Sequence, residues 1–417
     1  MRTSIAALAG LLGMCFAAAS ASAAGRASDS EAGLDHASAE VASRACTALV
    51  QRVDAVAGAE PVWLLSYDPA KGTDAPDAPA LRTAAFTYDN ALAVIALLAC
   101  KHPMQASRVG RALELAIAQD TRLRNVYRAG PVADKVLPNG WWDAAANRWV
   151  EDAYQQGTSS GNVAWAALAL LALHDASGET HWSDTAATLA RWVVTNTRSE
   201  HGGGFSGGID GFDAAPVALG WKSTEHAIDL VALFARLAQL APSAGWQDDE
   251  RHARRFLDHQ WDASSGHFLI GTMADGTTPN PTTSALDVQW WSQLLPDAPS
   301  DWRRAIAYAE AHHAVGAGFD FNDDRDGEWL EGTAQGALAY RIAGRDDAAS
   351  RCLREIARQF SAGGYVFATR EARITTGLAI GSASTSADFY YYRRPHLGAT
   401  AWAILAARAW NPYIGKR

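Results

Sequence analysis

Six times along the chain a glycine- and aromatic-rich stretch gives way to an alanine-rich apolar segment that opens on polar residues. The six openings read Thr87-Tyr88-Asp89-Asn90, Gly161-Asn162-Val163-Ala164-Trp165, Ser223-Thr224-Glu225-His226, Thr283-Ser284-Ala285-Leu286-Asp287, Glu331-Gly332-Thr333-Ala334-Gln335 and His396-Leu397-Gly398-Ala399-Thr400. An internal repeat constrains architecture before any single residue is interpreted. Alternating with these segments are six more amphipathic, more charged ones, roughly Leu34–Val56, Arg108–Thr121, Ser183–Asn196, Gln247–Trp261, Asp301–His313 and Asp346–Phe360. In them Leu113, Ala116 and Ile117, or Ala305, Ile306, Tyr308 and Ala309, recur at helical spacing with charge on the other face. The amphipathic set predicts outer helices with one wet side, and the apolar set inner helices packed on both sides. The expected fold is all-α, an (α/α)6 toroid of six helical hairpins.

Connection lengths orient this ring. Links from an inner to the next outer helix are short, as at His174–Glu179 and Gly344–Arg345, whereas those from outer to inner are long, as at Arg122–Ser160 and Ser361–Pro395. All long loops therefore emerge where the inner helices begin. Loops of this length in a compact domain are usually functional, and helix N-termini supply backbone donors and partial positive potential. A central cavity on that face is the expected site.

The ends and the charge narrow the setting. Arg2, an apolar run from Ile5 to Ala19 and the small residues Ala21-Ser22-Ala23 read as a secretory signal peptide over residues 1–23, the run being too short for a membrane anchor. A single domain over 24–417 and a periplasmic or secreted, monomeric protein are expected. The formal charge of −9 argues against a nucleic-acid partner, which wants a basic face. Beyond the leader, Cys46, Cys100 and Cys352 allow three pairings, none dictated by the sequence.

The alternation of six outer and six inner helices, with an acid at several inner-helix openings, resembles the six-hairpin glycosidases, the (α/α)6-barrel enzymes of polysaccharide breakdown. The resemblance runs from about Leu34 to Tyr413 and implies a fold and a carbohydrate substrate rather than catalytic assignments. Related toroids host epimerases, lyases and terpenoid cyclases. Export argues against a cyclase and against an epimerase of cytoplasmic metabolites.

Glycoside hydrolysis needs two carboxyl groups, one protonated and one ionised. The inner-helix openings offer Glu225, Asp287, Asp89 and Glu331 as catalytic candidates, with Asp229 one turn below Glu225. Crowding around one cavity raises at least one of their pKa values. Glu225 is the expected general acid, although a first-turn glutamate behind Ser223 and Thr224 also suits helix capping. Asp287, between Leu286 and Val288, is the expected base or nucleophile, or else a partner of Lys222 or Arg394. Tyr88, Trp141, Trp142, Trp221, His226, Gln289, Trp290, Trp329, Gln335, Arg394 and His396 are the expected substrate-binding residues, since flat rings in a wet cleft suit the C–H faces of sugars. Asn322, Asp324, Asp326 and Gly327 match the opening of a calcium loop, but its twelfth position is Thr333 where a glutamate belongs, so no metal is assigned. No cofactor motif appears.

The leading expectation is an exported glycoside hydrolase acting on a bacterial polysaccharide or oligosaccharide. The alternatives are a polysaccharide lyase, with a base among Tyr390–Tyr392 or His396 and Arg393 or Arg394 neutralising a uronate, and a non-catalytic glycan-binding toroid.

Overall fold

The computed structural model describes residues 34, 36–69, 75–381 and 384–416, and the expected leader at 1–23 lies outside them. Among the described residues twelve principal helices alternate as foreseen. The outer ones are α1 (36–54), α3 (Pro103–Gln119), α5 (Thr180–Thr197), α7 (Trp246–His259), α9 (Arg304–His312, entered through the 3-10 turn Ser300–Arg303) and α11 (Asp346–Arg358). The inner ones are α2 (Thr87–Ala99), α4 (Ser160–Ser177), α6 (Thr224–Leu240), α8 (Leu286–Trp291, extended by the 3-10 turn Ser292–Leu294), α10 (Leu330–Ile342) and α12 (Leu397–Arg408). Each inner helix packs on the next, and α12 packs back on α2, so the ring is closed.

The inner set is buried nearly all round: in α2 only Tyr88 escapes full burial, and α12 is buried from Leu397 to Ala407. Alanine makes this possible, since small side chains let six helices pack side by side around one axis. α3 begins at Pro103, earlier than the apolar spacing indicated, because proline suits the first helical turn, where its missing N–H would be unpaired anyway.

The long loops are more regular than their composition suggested. They fold into short antiparallel ladders, such as Ala84–Phe86 with Val126–Arg128, Trp141–Asp143 with Arg148–Val150, and Arg373–Thr375 with Tyr390–Tyr392.

One hydrogen bond recurs around the ring. The first N–H of each inner helix donates to a carbonyl of the next long loop: Thr87 to Asn125 (2.9 Å), Ser160 to Gly207 (3.1 Å), Thr224 to Ile270 (3.0 Å), Leu286 to Phe321 (2.9 Å), Leu330 to Ala368 (3.0 Å) and Leu397 to Ser66 (2.9 Å). The last of these returns to the first loop. Each bond satisfies one donor that a helix start leaves without an intrahelical partner.

Cys46 of α1 is bonded to Cys100, just past α2, and Cys352 is a buried free thiol. The bridge spans 54 residues, for which the chain-entropy account gives about 4 kcal/mol. The double variant Cys46→Ala/Cys100→Ala is expected to lose roughly 2–4 kcal/mol in urea unfolding, while Cys352→Ala changes stability by less.

Candidate active site

The recurrent bond sets a register that builds the site. The residue before each inner helix, namely Phe86, Ser159, Ser223, Ala285, Trp329 and His396, lines a single cavity of about 900 Å³. The first helical residue turns away. The hydroxyls of Thr87, Ser160 and Thr224 donate to the carbonyls of Arg124, Ser206 and Leu269 in the next loop, so these polar openings hold the scaffold instead of facing the cavity as the sequence suggested. The second residue faces inward again, and at this position stand Tyr88, Glu225, Asp287 and Glu331, with glycine at 161 and 398. Asp89 joins the lining from the third position of α2.

All four candidate carboxylates therefore share one cavity, and they divide into two electrostatic environments. On one side His396 stands between two acids, its Nε2 3.4 Å from Asp89 Oδ2 and its Nδ1 3.5 Å from Glu331 Oε2. Its ring stacks on Tyr67, with centroids 4.4 Å apart and planes 6° from parallel. Burial opposes the imidazolium, but the two carboxylates outweigh it and raise the His396 pKa above its ordinary value. The Tyr88 hydroxyl donates to Glu331 Oε1 (2.7 Å) and accepts from the Trp402 indole (2.8 Å). Burial pushes Glu331 up to about 7 despite the pull of His396.

On the other side Glu225, Asp287 and Asp229 have no cation partner among the described residues. Burial, then the neighbouring charges of Asp287, Asp229 and Glu331, raise Glu225 well above the usual carboxylate range. Burial raises Asp287 to about 7 against the pull of backbone hydrogen bonds, one of them from the N–H of Val288 to Oδ1 (2.7 Å). Lys222 lines the cavity but turns its ammonium to the carbonyls of His201 (2.6 Å) and Gly203 (2.8 Å), so it does not neutralise Asp287. Asp229 lies one turn deeper than Glu225 and is fully buried; its Oδ1 accepts from the hydroxyl of the buried Tyr413 (2.8 Å). Burying carboxylates without cations is costly. Holding one of them protonated at neutral pH relieves that cost and leaves an acid ready to donate.

Glycine at 161 and 398 is a steric requirement. A Cβ at Gly161 would stand 2.4 Å from the His226 ring, which sits between the hydroxyls of Ser159 (3.1 Å) and Ser160 (3.0 Å). A Cβ at Gly398 would meet Asp89 Oδ1 at 2.7 Å, Glu331 Oε2 at 2.9 Å and His396 Cε1 at 2.9 Å.

Of the expected binding residues, Tyr88, Trp221, His226, Trp329 and His396 line the cavity, and the other six do not. Gln289 is a packing hub, its amide exchanging hydrogen bonds with both backbone groups of Phe268. Trp290 is core, against Phe319 and Tyr340, and Gln335 is fully buried one turn below Glu331. Arg394 bonds the carbonyl of Pro76. Trp141 and Trp142 sit on a hairpin outside the cavity. Tyr67, Asn125 and Tyr154 are lining residues that the sequence did not single out, and the lyase candidates Tyr390, Tyr391 and Tyr392 line the cavity as well. They come from loops without periodicity; Asn162, by contrast, stood inside the repeated helix opening.

The acidic loop is structural in its contacts. Asp324 accepts from the hydroxyl of Thr375 and Asp326 from its N–H (3.0 Å), while Asp320 accepts from Phe321 and Gly327. The carboxylate oxygens of Asp320, Asp324 and Asp326 lie within 4.8 Å of one another.

A closed ring of six helical hairpins is a fold this chain shares with solved glycosidases and sugar epimerases. Among solved structures the chain is similar to a wild-type glycosidase (TM-score 0.56, 14% identity, covering 90% of this chain and 98% of that one). It is likewise similar to a GH76 α-mannanase from Bacteroides thetaiotaomicron (0.55, 14%, 88% and 94%) and to the cellobiose 2-epimerase of Bacillus thermoamylovorans (0.59, 10%, 86% and 95%). At these identities the likeness is one of fold. No protein-family model and no curated protein sequence matches the chain.

Two outcomes follow from this geometry. Gly398→Ala is expected to fold, because only side-chain ends must shift, yet to lower turnover about tenfold or more by displacing Asp89 and Glu331. Asp287 has a folded-state pKa of about 7, above its unfolded value near 3.9, so its contribution to stability is full below the unfolded value and is lost as pH rises through about 7. The melting temperature of Asp287→Asn should therefore gain on wild type between pH 5 and pH 8; a constant difference would mean that the carboxyl is ionised throughout.

Proposed function

We propose that the protein is a carbohydrate-active enzyme, a glycoside hydrolase that cleaves a polysaccharide or oligosaccharide in the barrel cavity. The observation that carries this reading is the pair Glu225 and Asp287, two buried carboxyls at the same register of adjacent inner helices, in one cavity and without a cation. Glu225, raised well above the usual carboxylate range by burial and neighbouring acids, gives its proton to the leaving oxygen. Asp287, pushed up to about 7 by burial, is ionised above that pH and activates water or attacks the anomeric carbon. Asp89, Glu331 and His396 form a fixed hydrogen-bonding wall for sugar hydroxyls, and Trp221 and Trp329 offer flat faces. The leader expected at residues 1–23 would place this activity in the periplasm or outside the cell.

An epimerase is the second reading, and His396 favours it. A buried imidazole between two carboxylates can carry a proton to and from a carbon next to a carbonyl. The lyase is disfavoured. Among the described residues no arginine lines the cavity, and Arg393 is spent on Gln359, the carbonyls of Thr369 and Arg370, and the ring of Phe367.

Incubation of the mature protein with neutral and acidic polysaccharides and oligosaccharides, following reducing ends, ultraviolet absorbance and sugar configuration together, separates these readings. New reducing ends without absorbance are expected, with losses of roughly 10²–10⁴-fold in Glu225→Gln and Asp287→Asn. Configurational change without new ends would establish the epimerase, and absorbance gain the lyase. The ratio kcat/KM should rise through about pH 7 as Asp287 ionises and fall at higher pH as Glu225 gives up its proton. A flat profile across that range would remove the pair from the chemistry.

A further inference from the structure

Of the chain's 16 tryptophans only Trp142 and Trp149 are exposed, at 56% and 45%. Exposed aromatics of this size are uncommon without a partner. These two are direct cross-strand neighbours in the hairpin of Trp141–Asp143 and Arg148–Val150, so both indoles stand on one face. Trp149 is held in place from several sides. Its ring lies so close over Gly140 that a Cβ there would be 2.7 Å away, the Arg128 guanidinium stands 4.9 Å from its ring centre, and its N–H donates to Glu151 (3.2 Å). The hairpin turn is fixed in turn by Asp143, whose carboxylate accepts from the N–H groups of Ala145 and Ala146.

The hairpin grows out of the cavity wall. At its base Asn139 donates to the carbonyl of Ala80 (2.8 Å) and to Gln155 (2.6 Å), both lining residues, and the second strand runs directly into Asp152, also in the lining. Trp142 comes three positions after Asn139, and Asp152 three positions after Trp149. At strand rise the pair therefore lies about 10 Å along the strands from these wall residues. That separation exceeds a single sugar held in the cavity and calls for a longer chain.

We propose that Trp142 and Trp149 form a distal stacking platform for the carbohydrate chain whose reacting unit occupies the cavity. The substrate is then a polymer or long oligosaccharide rather than a mono- or disaccharide. The proposal rests on the carbohydrate reading above and adds the length of the substrate to it. The Trp149 ring, pre-set by Gly140 and Arg128, loses little freedom on binding, which suits sugar C–H faces.

The test uses the full mature chain carrying Glu225→Gln, electrophoresed through gels containing mannan, dextran, xylan or mixed-linkage glucan, with and without Trp142→Ala/Trp149→Ala. Retardation by at least one polymer, weakened about tenfold or more in the double variant and restored by Trp142→Tyr/Trp149→Tyr, is the expected result. Equal retardation with and without the tryptophans overturns the platform, as does retardation by none of the four polymers. Sedimentation showing a dimer that the double variant dissolves would assign the face to a second copy and also overturn it. The catalytic reading is scored separately, by turnover of short oligosaccharides in protein with native Glu225. Turnover with tryptophan-independent retardation removes the platform alone, and tryptophan-dependent retardation without turnover removes the hydrolase alone.

Discussion

The ring of six backbone hydrogen bonds from inner-helix starts to neighbouring loops is the constraint on which the site depends. A helix start carries donors that its own turns cannot satisfy, and a long loop carries carbonyls that it cannot pair alone. Here each needs the other, and the exchange is always with the next unit around the ring. Only two inner helices also carry a side-chain cap, from Ser223 and His396. The bond fixes the rotation of each inner helix. Because the first residue is turned toward the next loop, the residues on either side of it must face the axis, which is why three carboxylates stand at one register.

Six helix N-termini converging on one cavity supply positive potential, which favours anions there. Burial works in the opposite direction and prevails at Glu225, Asp287 and Glu331, all of which are raised. The two environments differ by the imidazole of His396. Beside it Asp89 and Glu331 face an opposite charge, whereas Glu225 and Asp287 have no cation partner among the described residues. The aromatic layer of Tyr88, Trp165, Trp291 and Trp402 beneath both groups keeps that environment poor in water.

Much of this was legible in the sequence, for reasons that can be named. Alternating apolar and amphipathic segments require alternating buried and half-buried helices, and the asymmetry of link lengths put the loops on one face. Glu225, Asp287 and Glu331 could be found because they recur at one place in a repeated pattern. Gln289 and Trp290 shared that neighbourhood but pack against Phe268 and against Phe319 and Tyr340, while Gln335 lies one turn deeper than Glu331 on the same helix face. Arg394 was indistinguishable from a ligand-binding arginine until its carbonyl partner, Pro76, came from a loop far away in sequence. Tyr67 owes its place to stacking on His396, a contact between opposite ends of the chain that no local spacing records.

That contact belongs to the seam of the ring. Leu397 reaches back to Ser66, Tyr67 bridges to His396, and α12 closes on α2. The seam joins the earliest hairpin to the last, so its formation carries the largest loop-closure cost in the molecule. His396 and Gly398, which position Asp89 and Glu331, arrive with the final helix. Until α12 docks on α2 the cavity lacks the wall that His396 supplies. The shape of the site is therefore a property of the closed ring and of no smaller set of hairpins, so an intact cavity is itself a report of closure.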